Sequence, residues 1–298
     1  MKKILCLIIM FFLVSCEKEI QIEIPSIQDT VVVNSIMVVQ QPIVLYLSKT
    51  HSPMTEIDEV LDEATIIIRN GQETDTLENT GEGQYVSHVL AECNTAYKMW
   101  AYLEGNLIAN SFDKLLSSPF ELEYTITGFA DSIGIDEEGA RYAQFEITFR
   151  DDGSTKNYYE IAVEQRNVEQ NGLTYNNIDC YSDDIAIQAE GTNDFFPRTV
   201  LFSDSLFSGL EKHMIIRYLP IQWSTGGMVD YDRLVVHFRS VSENYYKYKK
   251  KLYEHLAGQD DSFWEGEANP VPMFTNINGG YGIFAGYAER IDTIQRIR

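Results

Sequence analysis

Apolar and polar residues alternate along much of the chain, and this pattern predicts β-strands. Between residues 120 and 127, Phe, Leu, Tyr and Ile occupy every second position, with Glu and Thr between them. A period of two places successive side chains on opposite faces of a strand, one against a core and one in water. Runs of β-branched residues predict further strands. The predicted strands include residues 31–39, 43–47, 65–69, 97–103, 107–112, 145–149, 159–163, 214–219 and 234–238.

Short turn signals separate the strands in the first third of the chain. Asn70-Gly71 lies between two strand-like runs, and Asn-Gly favours a type I′ hairpin turn because both central residues need positive φ. Gly81-Glu82-Gly83 and Glu104-Gly105-Asn106 mark two more turns. Strands and turns at this spacing predict an immunoglobulin-like β-sandwich over residues 30–118.

The chain after this sandwich, residues 119–298, is predicted to form a larger β domain with one packed amphipathic helix. Ser240 and Glu243 fit a capping box at the start of a helix over about residues 241–257. Gly258 fits the left-handed residue that ends many helices. The lysines of this helix are predicted to lie off its apolar stripe, which consists of Val241, Tyr245, Tyr248, Leu252 and Leu256. The fold class is therefore mainly β.

Residues 1–15 have the pattern of a lipoprotein signal peptide. Lys2 and Lys3 precede an apolar run from Ile4 to Val14, which is too short to span a bilayer, since a spanning helix needs about 20 residues. Ser15-Cys16 follows, and a peptidase that cuts before a lipidated cysteine fits this site. An ordinary secretory signal is the alternative. We expect acyl chains on Cys16, a tether over residues 16–29, and a location at the surface or the periplasmic face of an outer membrane.

Charge and cysteine content narrow the function classes. The chain has a net charge of −22, so general binding to nucleic acid is not expected. Apart from Cys16, the expected lipid site, only Cys93 and Cys180 remain after the signal peptide. A disulfide between them would add about 2–4 kcal/mol to stability, but they fall in different predicted domains, so two separate thiols are the preferred interpretation.

We predict that the protein is not an enzyme and has no cofactor or metal site. The standard catalytic sequence motifs do not occur, and the five histidines are dispersed. Asp179, Asp183 and Asp184 could supply oxygen ligands to calcium. A solvated acidic loop is the preferred interpretation of that cluster.

One basic region stands out in this acidic chain. Between residues 233 and 251 six basic residues are accompanied by a single acid, Glu243, and such a region could contact an anionic ligand or a partner. The alternative is a solvated helix face whose charges balance carboxylates elsewhere in the fold. The abundant aromatic residues leave a sugar-binding platform as a further alternative. The six basic residues are Arg233, Arg239, Lys247, Lys249, Lys250 and Lys251.

Three stretches of the chain form recognisable motifs. The segment 270–287 reads Pro-Val-Pro-Met-Phe-Thr-Asn-Ile-Asn-Gly-Gly-Tyr-Gly-Ile-Phe-Ala-Gly-Tyr, residues 240–248 form the start of the predicted helix, and residues 202–209 contain an Asp-x-x-x-x-Gly segment. These stretches resemble the C-terminal signature, the helix start and an internal segment of a Bacteroidota lipoprotein family of unknown function, domain of unknown function 4249. This chain has Thr275 where the family usually has Ser.

The resemblance implies a role rather than a reaction. Family members often occur beside TonB-dependent outer-membrane receptors, which implies an accessory function in nutrient uptake, by ligand capture or docking. A glycan-binding or adhesive surface lipoprotein is the alternative. Within the signature, Asn276, Asn278, Gly279 and Gly280 read as a tight loop that either shapes a binding edge or closes the β domain.

Overall fold

A computed structural model describes most of the chain. The described residues are 29–51, 59–71, 73–116, 124–135, 141–169, 172–191, 199–221, 223–224, 227–228, 230–265 and 271–295. The predicted signal peptide, Cys16 and the predicted domain boundary at Pro119 lie outside them. The predicted fold class is confirmed, since strands dominate the described part and one long helix packs against them. No helix in the described ranges has the length and apolar character needed to cross a membrane.

The strands and helices follow in this order along the chain. The first region contains β1 (Val31–Val38), β2 (Pro42–Lys49), β3 (Thr65–Asn70), β4 (Glu73–Thr76), β5 (Glu78–Gly81), β6 (Gln84–Leu90), β7 (Ala96–Leu103) and β8 (Asn106–Lys114). The second contains β9 (Tyr124–Ile135), β10 (Arg141–Arg150), β11 (Tyr158–Glu169), β12 (Gly172–Ile178), β13 (Cys180–Tyr181), α1 (Ile185–Gln188), β14 (Val200–Ser203), β15 (Glu211–Tyr218), β16 (Trp223–Ser224), β17 (Gly227–Met228), β18 (Asp230–Val241), α2 (Glu243–Glu265) and β19 (Gly280–Gln295).

The first sandwich packs the sheet β4-β3-β7-β8 against β5, β6, β2 and β1. Residues of both sheets form one buried core, in which Leu45 and Tyr85 meet Ile66 and Met99. This core also contains Phe284 from the far end of the chain. The strands of residues 30–118 therefore need a C-terminal strand to complete their sandwich.

The second sandwich packs β13-β15-β10-β9 against β12, β11, β18 and β19, with β14 beside β11. Its core is rich in aromatic rings: Phe149 lies 5.1 Å from Tyr159 and 4.9 Å from Phe238 between ring centroids. The alternation in β10 explains the packing, because Phe145, Ile147 and Phe149 all point inward.

Strand β19 belongs to both sandwiches. Its first half pairs in parallel with β1, from Val31 opposite Gly280 to Val38 opposite Tyr287. Its second half pairs antiparallel with β18, from Val241 opposite Tyr287 to Arg233 opposite Gln295. Tyr287 is thus the point at which one partner strand replaces the other, and one nine-stranded sheet runs through both sandwiches.

The helix starts and ends later than the sequence predicts. Ser240 and Val241 belong to β18, and Ser242 is the capping residue, with its Oγ accepting the N–H of Tyr245 at 3.2 Å. The predicted Ser240 capping box is wrong because Ser240 pairs with Ala288 of β19 and is therefore part of a strand. Gly258 does not end the helix, which continues to Glu265. A glycine inside a helix costs only about 1 kcal/mol relative to alanine, so it does not have to be a stop.

The buried stripe of α2 also differs from the predicted one. Tyr245, Tyr246 and Tyr253 are buried, whereas Leu256 is 49% exposed. Lys249 lies midway between Tyr245 and Tyr253 at spacings of four, so it faces the sheet rather than lying off the stripe. The helix covers a part of the sheet that carries the buried Glu160, and Lys249 is therefore stabilised on the face of the helix that packs against the sheet.

Glycines of the C-terminal signature allow β19 to approach β1 closely. A Cβ on Gly282 would lie 2.0 Å from the carbonyl oxygen of Val33, and one on Gly280 would lie 2.3 Å from that of Val31. Gly282 also has φ +101°, which L-residues rarely adopt. The glycine spacing of the signature is therefore a requirement of the strand pairing.

We expect Gly282→Ala to destabilise the protein by about 3–5 kcal/mol, because the new Cβ would separate β19 from β1. Gly105→Ala is the matched control, since Gly105 has φ +79° but open space around its Cβ position. The control should cost about 1–2 kcal/mol, the conformational penalty alone. Urea unfolding of the purified variants measures both values, and equal losses would show that the close approach is unimportant.

Candidate functional site

All six basic residues of the predicted island have carboxylate partners within the chain. Two of them, Arg239 and Lys249, contact Glu160, and Arg239 also contacts Glu289. Lys250 contacts Glu190. The remaining three pair with acids close in sequence: Lys247 with Glu243, Lys251 with Glu254, and Arg233 with Asp232.

Glu160 lies at the centre of this arrangement and is fully buried. Its Oε2 accepts hydrogen bonds from Arg239 Nη1 at 2.9 Å and from the Tyr245 hydroxyl at 2.8 Å. Its Oε1 accepts the Thr199 hydroxyl at 2.8 Å and lies 3.5 Å from Lys249 Nζ. Burial alone would raise the pKa of Glu160, but the charges of Lys249 and Arg239 hold it below its ordinary value. The carboxylate is therefore ionised and fully satisfied.

Strand register explains why these charges meet. Glu160 on β11 lies opposite Arg239 on β18, which lies opposite Glu289 on β19. Arg239 Nε donates to Glu289 Oε1 at 2.7 Å, and His237 Nδ1 lies 2.9 Å from the same oxygen. We call Glu160, His237, Arg239, Lys249 and Glu289 the charge row. His237 and Arg239 therefore lie on the same face of β18.

Contacts within the charge row lower the pKa of Glu289 and raise the pKa of His237. Burial opposes ionisation of Glu289, but the contacts with His237 and Arg239 lower its pKa. Burial likewise opposes the charging of His237, and the bond to Glu289 outweighs it and raises the pKa of the imidazole. Both effects indicate a set of groups whose charges compensate each other.

A second, partly buried carboxylate, Glu190, contacts the other lysine of the helix face, Lys250. Glu190 accepts the Ser203 hydroxyl at 2.6 Å and Lys250 Nζ at 3.0 Å, and it also accepts the Tyr246 hydroxyl. Lys250 Nζ lies 5.3 Å from the centroid of the Tyr246 ring. Lys249 and Lys250 therefore hold the helix to the sheet, whereas Lys247 and Lys251 are about half exposed and pair along the helix surface.

Sequence reasoning missed the acids that pair with the basic region. Glu160 interrupts the run Tyr158-Tyr159-Glu160-Ile161-Ala162-Val163. The other five residues of this run are apolar or aromatic, and all six are buried. A charged residue in a strand that is buried on both faces signals a buried ion pair, since such residues are almost never fully buried unpaired. That signal was available in the sequence. The sequence around Glu190 and Glu289 contains no comparable signal of a buried ion pair.

The predicted Asn-Gly loop is held at a junction of strands. Asn276 accepts the Phe284 N–H at 3.0 Å and donates to the Phe284 carbonyl at 2.7 Å. The backbone of Asn278 exchanges hydrogen bonds of 2.8 and 3.0 Å with Asn110 on β8. A Cβ on Gly279 would lie 2.6 Å from the Ile108 carbonyl oxygen. The loop ties β19 to the opposite sheet of the first sandwich.

The internal segment 202–209 has an equally local role. Asp204, which is 2% exposed, accepts the backbone N–H of Asn157 at 3.0 Å, and Gly209 donates its N–H to Asp151 at 2.8 Å. A Cβ on Gly153 would lie 2.8 Å from the Gly209 Cα, so the two glycines allow their loops to touch. The Asp and the Gly of this motif join the loop after β10 to the loop after β14.

The structure also gives the contacts of two aspartates of the acidic loop, Asp183 and Asp184, and the burial of the two thiols. Asp184 caps α1 and contacts Lys212 at 2.6 Å, and Asp183 pairs with Arg217. Within the ranges that the structure describes, no group of three His, Cys, Asp or Glu side chains could hold a metal ion. Cys93 is half-buried and Cys180 is buried, and the two form no disulfide. Burial raises the pKa of the Cys180 thiol to about 12.

A cavity of about 370 Å³ lies between β9 and β19, with Tyr124, Arg290 and Asp292 in its lining. The Tyr124 ring stacks on Phe238 at 5.2 Å, and the Arg290 guanidinium lies 4.4 Å from the centroid of the same ring. Phe238 and Arg290 therefore already contact the Tyr124 ring. A sugar-binding platform needs an aromatic ring with an open face.

The comparisons with known proteins place the chain in a family. The model of the domain of unknown function DUF4249 matches residues 17–292, so the chain belongs to this family. A comparison with curated proteins finds no match.

Comparison with solved structures gives remote similarities only. A Corynebacterium diphtheriae protein named as membrane anchored has a TM-score of 0.20 and 8% identity, over 72% of this chain and 55% of that one. The chitinase ChiA74 from Bacillus thuringiensis has a TM-score of 0.18 and 12% identity, over 65% of this chain and 28% of that one. The chain thus spans about half of the first protein and about a quarter of the second. At TM-scores this low, neither similarity supports a conclusion about this protein.

We expect Glu160→Gln to reduce the free energy of unfolding by about 3–5 kcal/mol, because it removes the main counter-charge of the partly buried Arg239 and Lys249. Glu254→Gln is the matched control on the helix surface, where the partner Lys251 is 46% exposed, and it should cost less than about 1 kcal/mol. Chemical denaturation measures both. Similar small losses would mean that the charge row does not hold the helix to the sheet.

Asp113 on β8 gives a pH-dependent prediction. It is 2% exposed and accepts a hydrogen bond from Asn244 at 2.9 Å, and burial raises its pKa to about 6. The folded state keeps the proton between pH 3.8 and about 6, so its contribution to stability falls as the pH rises through that window. Asp113→Asn should therefore stabilise the protein at pH 7 by up to about 3 kcal/mol, and little at pH 4. Unfolding of both proteins across this range checks the difference, and an unchanged difference would contradict the shifted pKa.

Proposed function

We propose that this protein is a lipid-anchored cell-envelope protein that acts as a non-enzymatic accessory to a TonB-dependent outer-membrane transporter, by docking or ligand capture. The observation that carries the proposal is the lipoprotein-type leader ending at Cys16, directly before the residues that match the family. The similar protein named as membrane anchored is too remote to add weight.

The junction between tether and fold suits an anchored protein. The tether leads into β1, which pairs with β2 on one side and with β19 on the other. Just before β1, Thr30 exchanges two hydrogen bonds with Thr50, one to the side chain at 3.0 Å and one between backbones at 2.8 Å. A tether of this length reaches about 45 Å when extended, at about 3.4 Å per residue. The folded part therefore stays near the membrane and transmits any pull into an interior strand.

The charge pairing favours docking over capture of an anion. Arg239 and Lys249 are engaged by the buried Glu160, and Lys250 by the partly buried Glu190, so the basic region offers no concentrated positive surface to a ligand. The chain as a whole remains strongly acidic, with a net charge of −22. A partner with basic or uncharged surface is therefore favoured over an anionic small molecule.

The test is recovery of the tagged protein from its native membrane in mild detergent, with mass spectrometry of the proteins that accompany it. A TonB-dependent receptor in stoichiometric amount is the expected result. Cys16→Ala is the matched control, because it removes the lipid site without touching the folded part and should move the protein out of the membrane fraction. A protein that stays with the membrane after this change contradicts the anchor.

Recovery of the anchored protein without a receptor would contradict the transporter role while leaving the anchor intact. Strong binding on a glycan array would then support the alternative of a glycan-binding or adhesive lipoprotein. Both results concern the function and not the fold.

A further inference from the structure

The two outer edges of the nine-stranded sheet differ in how they are protected. At one edge, β5 has four residues, begins with Glu78 and has a register shift between Asn79 and Gly81. At the other edge, β12 has seven residues, Gly-Leu-Thr-Tyr-Asn-Asn-Ile, with no charged residue and no proline. Its register with β11 is unbroken from Gly172 to Ile178. Natural edge strands are usually blocked by charges, prolines or bulges, and β12 has none of these.

The side chains of this edge add an exposed apolar surface. Leu173 and Tyr175 share one face of β12 and are 56% and 54% exposed. Val168, which lies opposite Leu173 on β11, is 46% exposed. In the part of the chain that the structure describes, no strand pairs with the outer side of β12. Apolar side chains beside an unprotected strand edge are the two features that strand addition uses, the backbone for affinity and the side chains for specificity.

Charge indicates what binds there. Acids lie at both ends of β12 in sequence or register: Asp179 follows it, and Glu169 lies opposite Gly172. A second copy of this chain would bring the same acids and a further −22 charges to the edge. The strand also extends only about 23 Å, at 3.3 Å per residue, which is little for a stable dimer that buries about 800 Å² per partner.

We propose that β12 binds an extended segment of a partner protein as an additional strand, a segment with apolar side chains at alternate positions and basic residues at its ends. Backbone hydrogen bonds to the edge of β12 hold the segment. Leu173, Tyr175 and Val168 contact its apolar side chains. This inference does not depend on the identity of the transporter or on the lipid anchor.

The test uses the full chain in detergent and a fluorescent peptide, Lys-Lys-Thr-Val-Thr-Val-Thr-Val-Lys-Lys. Fluorescence anisotropy should show saturable binding at least ten-fold tighter than for the same peptide with Glu in place of Lys. Methylation of the six central backbone nitrogens should abolish binding. Hydrogen exchange should slow at β12 when the peptide is bound and should change little elsewhere.

Matched variants localise the site without altering charge. Leu173→Thr combined with Tyr175→Thr should weaken peptide binding at least ten-fold, because it removes the apolar contacts and keeps a β-favouring residue. Tyr281→Thr is the control, since Tyr281 is 56% exposed on β19 but its neighbour strand β1 already occupies that edge. It should change binding less than two-fold.

Three results would overturn the proposal. The first is the absence of saturable peptide binding, and the second is binding that is equal for the methylated peptide or for the double variant. The third is self-association of the wild-type chain in ultracentrifugation that the double variant abolishes, which would identify a second copy as the occupant. Equal thermal melting of the three proteins excludes unfolding as the cause of any loss.

Discussion

The whole structure depends on the change of partner along β19. Up to Tyr287 this strand pairs with β1, and from Tyr287 onwards it pairs with β18. Strand pairing leaves backbone groups open wherever a neighbour ends, and a buried backbone group without a hydrogen bond is costly. Ser242 meets this need beside Gly286: its N–H donates to the Gly286 carbonyl at 2.9 Å, and its Oγ accepts the Gly286 N–H at 3.3 Å. Ser242, which follows β18 and caps α2, thus also completes the hydrogen bonding of β19.

The charge row is the second consequence of this junction. Where α2 crosses the sheet, three strands bring Glu160, Arg239 and Glu289 side by side. A buried ion pair rarely adds much to stability over an apolar pair, because desolvation offsets the attraction, but removing one member is costly. The charge row therefore fixes the position of the helix on the sheet more than it adds to the free energy of unfolding. A helix with apolar residues in place of Lys249 could slide along the sheet, whereas a lysine that must reach Glu160 fixes one position.

The sequence predicts the strands well because their pattern is local. Alternation in β10 and the turn at Glu104-Gly105 depend on neighbours along the chain, and both agree with the structure. The helix boundaries and the role of Lys249 were not predictable in the same way. Ser240 pairs with Ala288, which lies 48 residues further along the chain, and Lys249 faces inward because of Glu160 on another strand. Both outcomes follow from contacts between distant parts of the chain, which periodicity does not contain.

The geometry also changes the meaning of the family signature. Asn276, Asn278 and the glycines at 279, 280 and 282 all satisfy backbone groups or allow close approach at the junction of β19. The Asp204 and Gly209 motif joins two loops in the same manner. Residues required by strand pairing cannot vary with a ligand, because each substitution would disturb the shared strand. The signature therefore identifies the fold, and recognition of a particular partner has to depend on exposed residues outside it, such as those on the outer strands, which can change without cost to the junction.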